Sequence, residues 1–163
     1  MSAMAGTSPQ LEHEHHDAPV ALVTGSSSGI GFAITEELLL RGYRVALNGR
    51  DPVRLNEAVE RLEPGSRKRA TAITADVSTP EGAHLAFEAI SHEWSRLDLL
   101  VNNAGRIWVG DALEMTPETL HGVMATTFEA ALWCSQEAAR MMLSGAPVAS
   151  TSTASQGGTA SQG

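Results

Sequence analysis

Apolar positions in this chain fall into short unbroken runs separated by longer segments of helical spacing, a pattern that predicts βαβ units around a parallel sheet. Val20-Ala21-Leu22-Val23 reads as a buried strand. Ile30, Ala33, Ile34, Leu38 and Arg41 then recur with helical spacing, and Gly42, tolerant of positive φ, is expected to stop that helix. A second strand is expected from Arg44 to Asn48. Asp51-Pro52 opens the next helix, the carboxylate as N-cap and the proline in the first turn, with Leu55, Ala58, Val59 and Leu62 as its apolar stripe and Pro64-Gly65 as its end.

The third strand runs near Ala70 to Ala75. Thr79-Pro80-Glu81 starts another helix, whose Ala83, Phe87, Ile90 and Trp94 share one face, and a fourth strand follows from Leu97 to Val101. Thr116-Pro117-Glu118 repeats the cap chemistry. Leu120, Val123, Met124, Thr127, Ala131, Cys134, Ala138 and Met142 then continue as one long helix expected to cover the sheet.

The periodic region spans residues 18–145 and is α/β in class, a doubly wound parallel sheet. Residues 1–17 are small and polar, ending in Glu12-His13-Glu14-His15-His16-Asp17, and are expected to be disordered. Imidazole and carboxylate suit several divalent ions, but no folded second shell is implied there, so the cluster reads as a solvated tail. Residues 146–163 form a low-complexity tail; from Ala149 onward only Ala, Ser, Thr, Gln and Gly occur, a composition that cannot bury enough apolar surface to fold.

Composition narrows the function. The 163 residues allow about one domain, with 42% hydrophobic and 18% charged residues as in a soluble globular chain. A net charge of −8 disfavours nucleic acid, and the one local basic run, Arg67-Lys68-Arg69, is too short for a phosphate footprint. The single cysteine, Cys134, excludes an intramolecular disulfide. No apolar run approaches the ~18 residues of a membrane span, and a cytoplasmic location is expected.

The main motif is Thr24-Gly25-Ser26-Ser27-Ser28-Gly29-Ile30-Gly31, between a predicted strand and a predicted helix. Gly25 permits the tight exit turn, Gly29 lets backbone approach a pyrophosphate, and Gly31 allows close helix packing. The helix N-terminus supplies N–H groups for phosphate. Asp76-Val77 closes the third strand and Asn102-Asn103-Ala104-Gly105 the fourth, both at strand carboxyl ends, where parallel sheets bind ligands.

These three motifs, at these separations, resemble the short-chain dehydrogenase/reductase family over about residues 18–145. The resemblance implies a Rossmann-type sheet, incomplete on its carboxyl-terminal side, and a nicotinamide dinucleotide as partner. It implies that Thr24, Gly25, Ser27, Ser28, Gly29, Ile30 and Gly31 cradle the cofactor, that Asp76 and Val77 lie beside the adenine, and that Asn102, Ala104 and Gly105 line the ribose and nicotinamide path. At the end of the second strand, Gly49 takes the place where NAD-binding proteins carry an acid, and Arg50 follows. A guanidinium there suits a 2′-phosphate, so NADP(H) is favoured over NAD(H). Asp51 keeps NAD(H) open, although capping already accounts for it.

Catalysis in the resembled family needs a serine, a Tyr-x-x-x-Lys pair and an asparagine in the long helix. Tyr43 is the only tyrosine and Lys68 the only lysine, and they do not form that pair. Thr127 stands at the asparagine position. Ser152 is the nearest match to the serine, within a Ser/Thr run that makes a poor central strand. Little or no turnover is expected, as is an exposed sheet edge that favours association. A short product and a reading-frame shift near Ser144 compete as explanations of the abrupt loss of strand chemistry, and the shift is favoured. The alternative to a catalyst is a nucleotide-binding or regulatory module that pairs with itself or a relative through the helix around 117–143.

Overall fold

In the computed structural model, which describes residues 18–144, strands β1 (Val20–Val23), β2 (Arg44–Gly49), β3 (Ala70–Thr74) and β4 (Leu99–Val101) form one parallel sheet in the order β3-β2-β1-β4. β1 is flanked by β2 on one side and β4 on the other, so the winding reverses there and a crevice opens at the strands' carboxyl ends. The helices are α1 (Gly29–Leu40), α2 (Pro52–Arg61), the single turn α3 (Pro64–Arg67), α4 (Pro80–Trp94), α5 (Pro117–Met124) and α6 (Ala130–Ser144). This is a Rossmann-type arrangement. The two tails, with the histidine cluster and Ser152, lie outside the described residues.

Both faces of the sheet are covered, which is why the strand sequences are unbroken rather than alternating. Ala21, Val23, Val45 and Leu47 pack against Leu39 of α1 and Leu55 and Ala58 of α2. Val20, Leu22 and Ala46 face Phe87 and Ile90 of α4 and Ala130, Cys134 and Ala138 of α6. Every residue of β1 is 0% exposed. Burial, with Glu137 nearby, pushes the Cys134 thiol up to about 11, which leaves it a core group rather than a nucleophile.

Three expected caps form. Asp51 accepts from the N–H groups of Val53 and Arg54, Thr79 from that of Gly82, and Thr116 from that of Thr119.

Four expectations need correction. α1 buries Gly31, Thr35 and Leu39 most deeply; of the expected stripe Ile34 and Leu38 pack half-buried on the core, while Ile30 is 75% exposed. The cause is Gly31, which brings that line of the helix against the loops below it, while Thr35 satisfies its hydroxyl on the Gly31 carbonyl at 3.0 Å. Pro64-Gly65 starts the turn α3 rather than ending α2; Leu62 is already extended, and Glu63, preceding a proline, is held out of the helical region. The fourth strand is only Leu99–Val101. Asp98 precedes it and binds Val20 twice, its N–H donating to the Val20 carbonyl at 2.9 Å and its carboxylate accepting the Val20 N–H at 2.7 Å.

The fourth correction is the long helix, which is interrupted by a π-helical segment over Ala125–Glu129. The Thr126 hydroxyl donates to the Gly122 carbonyl at 2.8 Å, and the Ala130 N–H reaches the Ala125 carbonyl, five residues back. Of the segment expected as one long helix, only α6 lies on the sheet. Leu120, Met124, Phe128 and Leu132 stand exposed along the outer side. Among the described residues β4 pairs with β1 alone, so its other edge carries no strand. No described helix is long and apolar enough to cross a membrane.

Candidate functional site

One cleft lies across the carboxyl ends of the strands. It is lined by Gly25 and Ser27 after β1, Gly49 and Arg50 at the end of β2, Asp76 and Val77 after β3, and Ala104 and Gly105 after β4. Each lining loop follows a strand whose register is fixed by its neighbours.

The floor is a knot of backbone and side-chain hydrogen bonds. Thr24 is 1% exposed, and its hydroxyl oxygen accepts from the Asn103 and Ala104 N–H groups at 3.0 and 2.9 Å. The Asn103 amide donates in return to the Thr24 and Gly25 carbonyls at 2.9 and 3.1 Å. Gly25 has φ +63°, a conformation that favours glycine, and a Cβ on it would sit 2.9 Å from the Ala104 Cα. A Cβ on Gly31 would sit 2.4 Å from the Asn103 amide nitrogen. The glycine-rich turn and the loop after β4 are therefore one interlocked piece.

Above that floor begins α1. Its N-cap, Ser28, provides no side-chain acceptor, in contrast with Asp51, Thr79 and Thr116 on other helices. The N–H groups of its first turn have no intrahelical partner, which suits an anion. Ser28, Gly29 and Ile30 are exposed at this end, and the Ile30 side chain points to solvent.

The β2 end of the cleft is charged, with two guanidiniums and the Asp51 carboxylate. Arg50 and Arg54 both line it, and among the described residues neither side chain has a hydrogen bond or ion pair. Asp51 lies between them in sequence, but its Oδ1 accepts from the Val53 and Arg54 N–H groups at 2.9 and 3.2 Å. Arg54 went unnoticed in the sequence, where it looks like a solvated helix residue; the signal was its four-residue spacing from Arg50. Asn48, 1% exposed, braces this end by donating to the Ile73 and Ala75 carbonyls, each at 3.1 Å. Asp76 accepts at Oδ1 from the N–H and hydroxyl of Ser78, at 3.1 and 2.7 Å.

Other expected residues are placed differently. Asn102 turns its amide toward α6, donating to the Ser135 hydroxyl at 3.1 Å, and Asn103 instead carries the contact to the glycine turn. Thr127 sits in the π segment and bonds to Arg106. Tyr43 precedes β2 and Lys68 precedes β3, so both lie at strand amino ends, opposite the cleft. Ile107 and Val109, on the loop after β4, are 89% and 91% exposed.

The cleft offers a dinucleotide glycines that hold the turn close to the β4 loop, an uncapped helix start, and guanidinium groups without partners among the described residues at one end. They fit.

The family model for short chain dehydrogenase matches residues 19–162. The 2,3-dihydroxy-2,3-dihydro-p-cumate dehydrogenase of Pseudomonas putida is 38% identical over 123 residues, 74% of this chain and 46% of that protein. The L-sorbose reductase of Gluconobacter frateurii, solved with NADPH and L-sorbose, superimposes with a TM-score of 0.73 at 32% identity, over 78% of this chain and 48% of its own. A 3-ketoacyl-(acyl-carrier-protein) reductase of Brucella melitensis, solved with NADH, gives a TM-score of 0.67 at 25% identity, over 73% of this chain and 48% of its own. The chain spans under half the length of the curated relatives it matches, 43% and 46% for the first of them.

Proposed function

The chain belongs to the short-chain dehydrogenase family, and on that premise we propose that it binds NADP(H) in preference to NAD(H) in the cleft above β1, with little or no turnover of its own. Arg50 and Arg54, unpaired beside Gly49, carry this reading. An acid at Gly49 would favour a ribose 2′-hydroxyl; two guanidiniums favour a 2′-phosphate. The uncapped start of α1 receives the pyrophosphate, and Asp76, Val77, Ala104 and Gly105 close over the nucleoside.

When bound, the dinucleotide supplies or accepts hydride, the chemistry of carbonyl reduction or alcohol oxidation. The residues of this chain hold and orient it but lack the proton donor. An isolated phenol with pKa about 10 is a poor acid at neutral pH, and Tyr43 lies at the far end of the sheet in any case. A cytoplasmic, non-catalytic nucleotide-binding or regulatory module fits this inventory. The exposed line Leu120, Met124, Phe128 and Leu132 favours self-association, or pairing with a relative, through the 117–143 region.

Titrating the 163-residue chain with NADPH and with NADH tests the reading. NADPH is expected to bind at least about tenfold more tightly, and Arg50→Ala to remove that preference while leaving NADH affinity unchanged. Equal affinities in the parent chain, or no binding of either, would sink it.

A further inference from the structure

We infer that Thr127 is a positioning residue that holds the β4-side wall of the dinucleotide cleft, and that the π segment exists to aim it there. The inference rests on the cofactor reading above. Thr127 occupies the middle of the π segment Ala125–Glu129. Its hydroxyl oxygen accepts the Arg106 N–H at 3.2 Å, and the same hydroxyl donates to the Arg106 carbonyl at 3.2 Å. One side chain thereby fixes the peptide groups on both sides of Arg106. The residue before it, Gly105, lines the cleft, and a Cβ there would lie 3.8 Å from the Thr127 hydroxyl.

The π segment makes this geometry. Each helical residue turns about 100°, so the extra residue taken up by an i to i+5 turn rotates the preceding side chains by that amount relative to α6. Thr126 holds the widened turn open by engaging the Gly122 carbonyl, and Thr126 itself lines the cleft. Two adjacent threonines therefore divide the work, one shaping the helix and the other clamping the loop. The position where the family resemblance expects an asparagine is not vacant. A hydroxyl both donates and accepts, which is all that the Arg106 backbone requires.

Thr127 and Arg106 are both exposed, so water replaces their hydrogen bonds readily and the clamp adds little to global stability. Its effect belongs to the loop. The test uses Thr127→Val, which keeps shape and removes the hydroxyl, beside Thr127→Ser and Thr127→Asn, which retain a donor and an acceptor. NADPH affinity, thermal midpoint without nucleotide, and amide exchange at Arg106 are measured for each.

Thr127→Val is expected to weaken NADPH binding about tenfold and to speed Arg106 exchange, with an unchanged midpoint, while the serine and asparagine variants bind like the parent. If the valine variant unfolds, Thr127→Ala supplies the same comparison. Parent-like affinity in the hydroxyl-free variant overturns the inference and leaves the cofactor reading intact. A parent chain that binds no dinucleotide overturns both.

Discussion

The two sides of β1 differ in how completely they are finished. Toward β2 the packing is complete in the strand itself: Val45, Ala46 and Leu47 are 0% exposed, Asn48 spends its amide on two carbonyls, and the cap of α2 is satisfied. Toward β4, the strand is three residues long, all half-buried, with no strand on its far edge among the described residues, and the following segment exposes Ile107, Val109, Leu113 and Phe128. On the proposed reading the first side would hold the adenosine end of a dinucleotide, and the second would lead toward its reactive end. Recognition and catalysis are separable in this fold because the phosphate cradle is built from backbone and glycine near β1, whereas a proton donor must come from side chains elsewhere.

Truncating one leucine on each side sharpens the contrast. Leu22→Ala, in the fully buried centre of β1, is expected to cost about 3 to 4 kcal/mol of unfolding free energy, whereas Leu100→Ala on half-exposed β4 is expected to cost about 1 to 2. Denaturant titration of both variants checks this, and equal losses would erase the asymmetry.

A smaller effect probes the seam between the two sides. Burial raises the Asp98 carboxyl pKa, but the Arg96 guanidinium, the Val20 N–H and the Arg44 charge outweigh it and hold the group below the usual carboxylate value. Because the folded pKa is depressed, the stabilisation is fully present above the unfolded value of about 4 and is lost as pH falls through the folded one. Asp98→Asn is therefore expected to lower stability by about 1 kcal/mol between pH 7 and 5, with the gap to the parent closing below about pH 4. A gap that persists unchanged into acid would show that the carboxylate charge is not what ties β4 to β1.

Legibility in the sequence followed the same division. The β1 and β2 runs, the glycine-rich turn and the three caps could be read because each depends on local chemistry: unbroken apolar runs, glycine at tight approaches, and Asp or Thr before proline. The buried line of α1 could not, because the decisive residue was Gly31, whose lack of a side chain carries no hydrophobic signal, so the periodicity favoured Ile30. Arg54 and Asn103 were missed for a different reason. Their roles appear only when separate loops meet across the sheet. The π segment was equally hidden, since Thr126 and Thr127 break no apolar stripe and differ from helix residues only in where their hydroxyls bond.

Amide hydrogen exchange of the chain with and without saturating NADPH shows whether the β1–β2 cleft takes the dinucleotide. The account predicts slowed exchange concentrated in the turn Gly25–Gly31, around Arg50 to Arg54, after β3 at Asp76–Ser78, and at Ala104–Arg106, with the 117–124 helix unchanged and no NADPH oxidation in the presence of carbonyl compounds. Protection that is absent, or that falls on α5 and the exposed β4 edge instead of the β1–β2 cleft, would contradict it.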